Sequence, residues 1–336
     1  MAQAGSSGPL VNIRRTLTTP IPLPPPALAP AWLSAALDGQ RAALARAITA
    51  VEEHTQDAAQ VLAAIYPRVG RAVVVGFTGA PGAGKSTLIA ACITEARQRG
   101  LQVGVVAVDP SSPLTGGAVL GDRIRMLAMA GDSGVFVRSL AARGHLGGLS
   151  AAASRVVDVL DAAGKDLIIV ETVGVGQSET EVSGLAQLTV LVCAPGMGDE
   201  VQMIKAGVLE MADVYAVNKS DLPGAQGLIR QLQAAAHLGS AAMPPVIATT
   251  ASTGAGAAQL LDAVYAVHAA RVPAPAQERM RRLQKTLAAM AGEALQRRIA
   301  ALDESALAAI GQALLQGEQD FSGAVQQVLA RALSNG

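Results

Sequence analysis

Six short apolar runs, at 72–77, 103–108, 167–170, 188–194, 214–217 and 246–249, are separated by longer stretches with helical periodicity. A strand that is apolar on both faces belongs inside a parallel sheet covered by helices. The pattern therefore predicts an α/β fold with a mainly parallel central sheet flanked by helices. Ahead of the runs, from Trp32, apolar residues recur at three-to-four spacing through Leu33, Leu37, Leu44, Ile48 and Val51, then Val61, Leu62 and Ile65, until Tyr66-Pro67 closes the segment. Behind them, from Ala276, a similar stripe through Met280, Leu283, Leu287 and Met290 predicts more helix, set off from the sheet by Pro273 and Pro275. Prolines at 20, 22, 24, 25, 26 and 30 forbid a sustained helix at the start. The expected organisation is a flexible Pro-rich arm at 1–30, a helical segment at 31–66, a nucleotide-binding domain at 67–271 and a C-terminal helical arm at 272–336.

Ligands of such sheets sit at the carboxyl ends of the strands, and the polar motifs follow the runs directly. The first run leads into G-A-P-G-A-G-K-S, residues 79–86, and then into a helix-compatible stretch. Gly79, Gly82 and Gly84, with Ala80, Pro81 and Ala83 between them, suit a loop whose N–H groups surround a polyphosphate, with the following helix adding the positive end of its dipole. Lys85 is placed to reach the β and γ phosphates, Ser86 to ligate Mg²⁺, and Thr87 to complete the cradle. This makes the expected fold a P-loop NTPase with helical N- and C-terminal extensions.

Two later runs end in acids. Asp109 and, beyond a glycine-rich stretch, Asp122 are placed to approach Mg²⁺ or its waters, or else to cap the helices that follow. Glu171 ends the next run, where a direct or indirect Mg²⁺ ligand is expected, and the backbone of Gly174 is placed to sense a γ-phosphate. Val175 follows that glycine where a water-orienting Gln would be expected, and the nearest amide side chain is Gln177. Slow unaided hydrolysis follows. Asn218, Lys219 and Asp221 come from N-K-S-D at the end of the fifth run. A carboxylate in a base pocket accepts from N1–H and the 2-amino group of guanine, donors that adenine lacks there, so GTP and GDP are the expected ligands. T-T-A-S at 249–252, with Thr250, Ala251 and Ser252, fits a final loop against the base.

Composition narrows the partners. Lys plus Arg equals Asp plus Glu, at 26 each, so no global field favours nucleic acid or an anionic membrane. No run approaches the ~20 apolar residues that span a bilayer, and the N-terminus lacks the apolar core of a secretory signal, so a cytoplasmic location is expected. Cys92 and Cys193 read as buried reduced thiols, and four scattered histidines give no support to nickel or zinc handling.

The runs G-F-T-G-A-P-G-A-G-K-S-T, V-D-P-S-S, G-G-A-V-L-G-D-R-I-R-M, E-T-V-G-V-G-Q-S-E, A-P-G-M-G-D-E-V-Q-M-I-K-A-G and N-K-S-D together resemble the MeaB/ArgK GTPases of the SIMIBI P-loop class. These are chaperones of adenosylcobalamin-dependent acyl-CoA mutases. The resemblance implies a homodimer that binds GTP with Mg²⁺, docks on such a mutase, gates its cofactor loading, and protects or reactivates it. It implies phosphate and metal binding by Lys85 and Ser86, metal-site and catalytic roles for Asp109, Asp122 and Glu171, and an extra switch at 195–205. The apolar stripe of the C-terminal helices needs a partner surface, and in line with the family it is expected to be a dimerisation arm. Arg279, Arg281, Arg282, Arg297 and Arg298 are read from the sequence as a solvated face over the alternative of a nucleic-acid patch. The alternative is a small-molecule kinase, the older transport-kinase reading of this group, which requires an acceptor pocket.

Overall fold

The computed structural model describes residues 31–53, 55–109, 131–141, 148–172, 184–196, 212–236, 244–271 and 274–334. Three helices open it, α1 (Ala31–Leu37), α2 (Arg41–Glu53) and α3 (Ala58–Ile65). Then follow β1 (Val73–Thr78), α4 (Lys85–Gln98), β2 (Val103–Asp109), β3 (Val135–Ala141), α5 (Gly148–Ala162), β4 (Leu167–Thr172), β5 (Leu188–Cys193) and β6 (Val214–Val217). The chain continues through α6 (Ala225–Ala236), β7 (Val246–Ala248), α7 (Ala257–Arg271), α8 (Pro275–Ala300), α9 (Glu304–Leu315) and α10 (Phe321–Ser334).

The seven described strands form one sheet in the order β3-β2-β4-β1-β5-β6-β7, with every pairing parallel. All six apolar runs became strands. On one face Val73, Val75 and Phe77 of β1 pack with Leu88, Ile89 and Ile93 of α4 and with Leu260, Leu261 and Val264 of α7. On the other, Val106, Ile168 and Val170 pack with α5 and, through it, with α1 to α3. Burying each such side chain stabilises the fold by about 1.5–3 kcal/mol. This double cover explains why the strands read as continuous apolar runs.

The seventh strand, β3, escaped the pattern because Arg138 and Ser139 interrupt it. It is a sheet edge, and α2 makes the polar residue tolerable there: Glu52 pairs with Arg138, and Arg41 donates to the Val135 carbonyl at 3.1 Å.

One expectation about the C-terminal helices needs correction. Pro275 does start α8, but the helix turns a face back onto the core, and Arg282 is buried against Asp158 and Asp161 of α5 instead of facing water. Its spacing resembled that of a surface arginine because its two acids lie more than a hundred residues upstream.

Candidate nucleotide site

The phosphate loop begins where β1 ends, at the centre of the sheet. Gly79 has φ +139°, and a Cβ added there would stand 2.1 Å from the Val192 carbonyl oxygen of β5, so only glycine fits. Gly82, at φ +79°, is exposed at the turn of the loop between Pro81 and the buried Ala83, as a backbone open to phosphate requires. Gly84 has φ +89° and precedes α4; no side chain caps that helix and no acid lies in its first turn. A helix start without its own capping anion suits a phosphate. The Lys85 ammonium donates to the carbonyls of Gly79 (2.7 Å) and Ala80 (3.3 Å), folding over the loop it would share with phosphate.

Ser86 donates to Glu171 Oε1 at 2.6 Å. Glu171 is buried near the end of β4, in register with Phe77 of β1 and Ala107 of β2. A hydroxyl and a carboxylate at this place form the hard-oxygen pair that Mg²⁺ prefers, so the residues fit the ion. Asp109 closes β2, two residues beyond the register partner of Glu171. Asp122, Gly174 and Gln177 lie outside the described residues, as do 197–205 of the expected extra switch.

The base-side loops are joined to the phosphate loop by one side chain. Asn218 is buried after β6, and its Nδ2 donates to the Ala83 carbonyl at 2.8 Å. Its Oδ1 accepts from the Ala251 N–H at 3.0 Å and the Thr249 hydroxyl at 3.3 Å. Lys219 takes the left-handed backbone at φ 55°, the one described non-glycine residue to do so, and Asp221 is exposed at the start of the turn beyond it. Ser220 ties this turn to the last loop, through its N–H to the Thr249 carbonyl (3.0 Å) and its hydroxyl to Thr250 Oγ1 (3.0 Å). Ala251 is half-buried and Ser252 exposed.

The residues expected from sequence at 79–87, 171, 218–221 and 250–252 therefore gather along one edge of the sheet, over the carboxyl ends of β1, β4, β6 and β7. Thr249 was expected in the final loop but not its bond to Asn218, and Ser220 was not foreseen as part of the site. Both hydroxyls serve loop-to-loop bonds, which no spacing reveals. Burial pushes the Cys92 thiol up to about 12, as expected of an inert core residue. Among the described residues, no cluster of His, Cys, Asp or Glu could hold a metal by itself, and no helix is long and apolar enough to cross a membrane.

Comparison with known proteins agrees with this geometry. A family model described as methylmalonyl Co-A mutase-associated GTPase MeaB matches residues 44–304. A putative GTPase of Pyrococcus abyssi is 50% identical over 232 residues, covering 67% of this chain and 72% of its own. GTPase ArgK of Escherichia coli is 46% identical over 187 residues, covering 54% of this chain and 56% of its own. Among solved structures, a LAO/AO transport system kinase superposes with a TM-score of 0.63 at 26% identity, covering 88% of this chain and 95% of that one.

Proposed function

Because the chain belongs to the methylmalonyl-CoA mutase-associated GTPase family, we propose that it binds and hydrolyses GTP with Mg²⁺ and docks, as a homodimer, on an adenosylcobalamin-dependent acyl-CoA mutase. There it gates cofactor loading and protects or reactivates the enzyme. The observation that carries the nucleotide part is Asn218, whose amide spans the phosphate loop and the base-side loop in one step. A polyphosphate on the α4 N-terminus and a purine against 218–221 and 250–252 would then be held by one connected frame.

Within that frame each residue has a task. The loop at 79–84 and the start of α4 bind phosphate, and Lys85 exchanges its carbonyl partners for phosphate oxygens. Ser86 and Glu171 hold Mg²⁺, with Asp109 and Asp122 as further acids near it. When bound, the ion neutralises charge developing on the phosphate oxygens. Asp221 accepts from guanine. Gly174 reports the γ-phosphate, and Gln177 is the nearest amide for water. With Val175 beside Gly174, hydrolysis is slow until the mutase engages, and 195–205 is the segment through which that contact acts. Support for the homodimer comes from the apolar groups left exposed on the C-terminal helices, Leu315 at 90% and Phe321 at 78%.

The guanine assignment is tested by Asp221→Asn. The amide can donate to the 2-oxo group of xanthine, so calorimetry should show GTP binding lost and xanthosine triphosphate binding gained. An unchanged preference for GTP would place the base elsewhere. Phosphate release from GTP with no acceptor added, rising when the purified mutase is supplied, separates this reading from a small-molecule kinase. A protein that turns over GTP only with an added acceptor would overturn it.

A further inference from the structure

Helix α8 docks on the core with its charged side. Glu278, Arg282 and Thr286 succeed one another at four-residue spacing and are buried, at 1%, 6% and 3% exposure, while Met280 and Leu287 face outward at 56% and 57%. The first half of the helix thus meets the core through polar groups, and Met290 further along adds an apolar contact to it. Counter-ions therefore fix where this half of the helix sits. Arg282 reaches Asp161 at 2.7 Å, Asp158 at 3.4 Å and Glu278 at 3.1 Å. Further along the same helix, Glu293 pairs with the buried Arg155 at 3.1 Å. Desolvation offsets most of the attraction in such a cluster, so an intact set of ions holds the helix only modestly, whereas loss of one partner leaves a buried charge uncompensated.

Asp161 has a second task. Its Oδ2 accepts from the Gly70 N–H at 2.7 Å, and its Oδ1 from those of Arg71 (3.1 Å) and Ala72 (2.9 Å). These amides lead directly into β1, which is buried throughout and ends at the phosphate loop. One carboxylate thus fixes both the root of the C-terminal arm and the entry of the strand that carries Gly79 to Ser86.

We propose that Asp161 and Arg282 are positioning residues forming an ionic joint between the C-terminal arm and the phosphate-loop strand, through which arm docking and nucleotide binding are coupled. The coupling, though not the docking, rests on the reading of 79–87 as a phosphate cradle. Coupling between two sites is reciprocal: the factor by which nucleotide changes docking equals the factor by which docking changes nucleotide affinity.

The test uses the full chain and Arg282→Met, with hydrogen exchange of the α8 amides followed with and without GDP and Mg²⁺, and GDP affinity taken by calorimetry. In the nucleotide-free variant α8 should exchange at least about tenfold faster, while amides of β1, β4 and β5 keep their protection. GDP should alter α8 exchange in the wild type but not in the variant, and the variant's GDP affinity should shift by the wild type's factor. Arg282→Lys keeps the charge but lacks the fork that spans several carboxylates, so it should fall between the two; it carries both measurements if Arg282→Met does not fold. Unchanged α8 exchange in the nucleotide-free variant overturns the joint. A loosened α8 with GDP affinity unmoved overturns the coupling. Failure of the wild type to bind GDP at all overturns the phosphate-cradle reading and the coupling with it, and α8 exchange without nucleotide still decides the joint.

Discussion

The Nδ2 of Asn218 lies 2.8 Å from the carbonyl of Ala83, bridging two loops that are 135 residues apart in the chain. Asn218→Ala removes that bond and the two accepted by Oδ1 from Ala251 and Thr249. At about 1 kcal/mol for each bond, the nucleotide-free protein should lose on the order of 3 kcal/mol of stability, and GDP affinity should fall at least about tenfold because the two loops are no longer held in line. A calorimetric Kd within about threefold of the wild type would mean that other contacts align the loops.

Gly79→Ala separates packing from phosphate binding. The added Cβ would stand 2.1 Å from the backbone oxygen of Val192, at a φ that alanine resists, so strand β5 or the loop must move. Urea unfolding without nucleotide should show a loss of about 3 kcal/mol or more. At Gly84 the obstacle is the Asn218 side chain at 2.4 Å, which can swing away at the expense of its bridge. Gly84→Ala should therefore lose less stability and more nucleotide affinity. Equal stability losses would assign both glycines to backbone packing alone.

Lys85→Ala should abolish tight GTP and GDP binding in calorimetry while moving the melting temperature of the nucleotide-free protein little. Its ammonium bonds two carbonyls of its own loop and is half-buried, so truncation opens no core cavity. A drop as large as that of a core deletion would make Lys85 a structural residue.

The sequence pattern made six of the seven described strands legible: five because an interior parallel strand is apolar on both faces, and β7, at the far edge, because Val246 to Ala248 are apolar although only half-buried or exposed. It did not reveal β3, whose Arg138 is accommodated at the edge by Glu52 and Thr49 of α2. The phosphate loop was readable for a local reason: the glycines, lysine and serine act within a few residues of one another. The frame of the site was not. Asn218 to Ala83, Ser86 to Glu171 and Ser220 to Thr250 are bonds between distant segments, and each depends on strand order, which hydropathy does not specify. Arg282 misled for the same reason, since charge in a helical stripe has no sign of burial until its counter-ions are found.

Asp158 gives the buried cluster a pH dependence. Burial pushes its carboxyl up from 3.8 to about 6, against the pull of Arg282 and the bond from the Tyr66 hydroxyl at 3.0 Å. Because the folded protein holds this proton more tightly than the unfolded chain, the resulting stability is complete below the ordinary carboxyl range and is lost as pH rises through about 6. Asp158→Asn has no such proton to lose. The unfolding free energy of the wild type minus that of the variant should therefore fall by on the order of 2–3 kcal/mol between about pH 4 and pH 7, and then level off. Urea titrations across that range measure it. A flat difference would show Asp158 charged throughout.

The pairing of Asp161 with Arg282 also sets an order of events during biosynthesis, because the arginine follows the acid by 121 residues. A ribosome has made every described strand of the sheet before it makes the cation that this interior awaits. Until Arg282 emerges, Asp158 and Asp161 keep their own water, and α5 cannot close over them without stranding charge. A segment made after every described strand thus completes a site beside β1, the first of them in the chain, and a chain cut short before Arg282 leaves Asp158 and Asp161 without that cation.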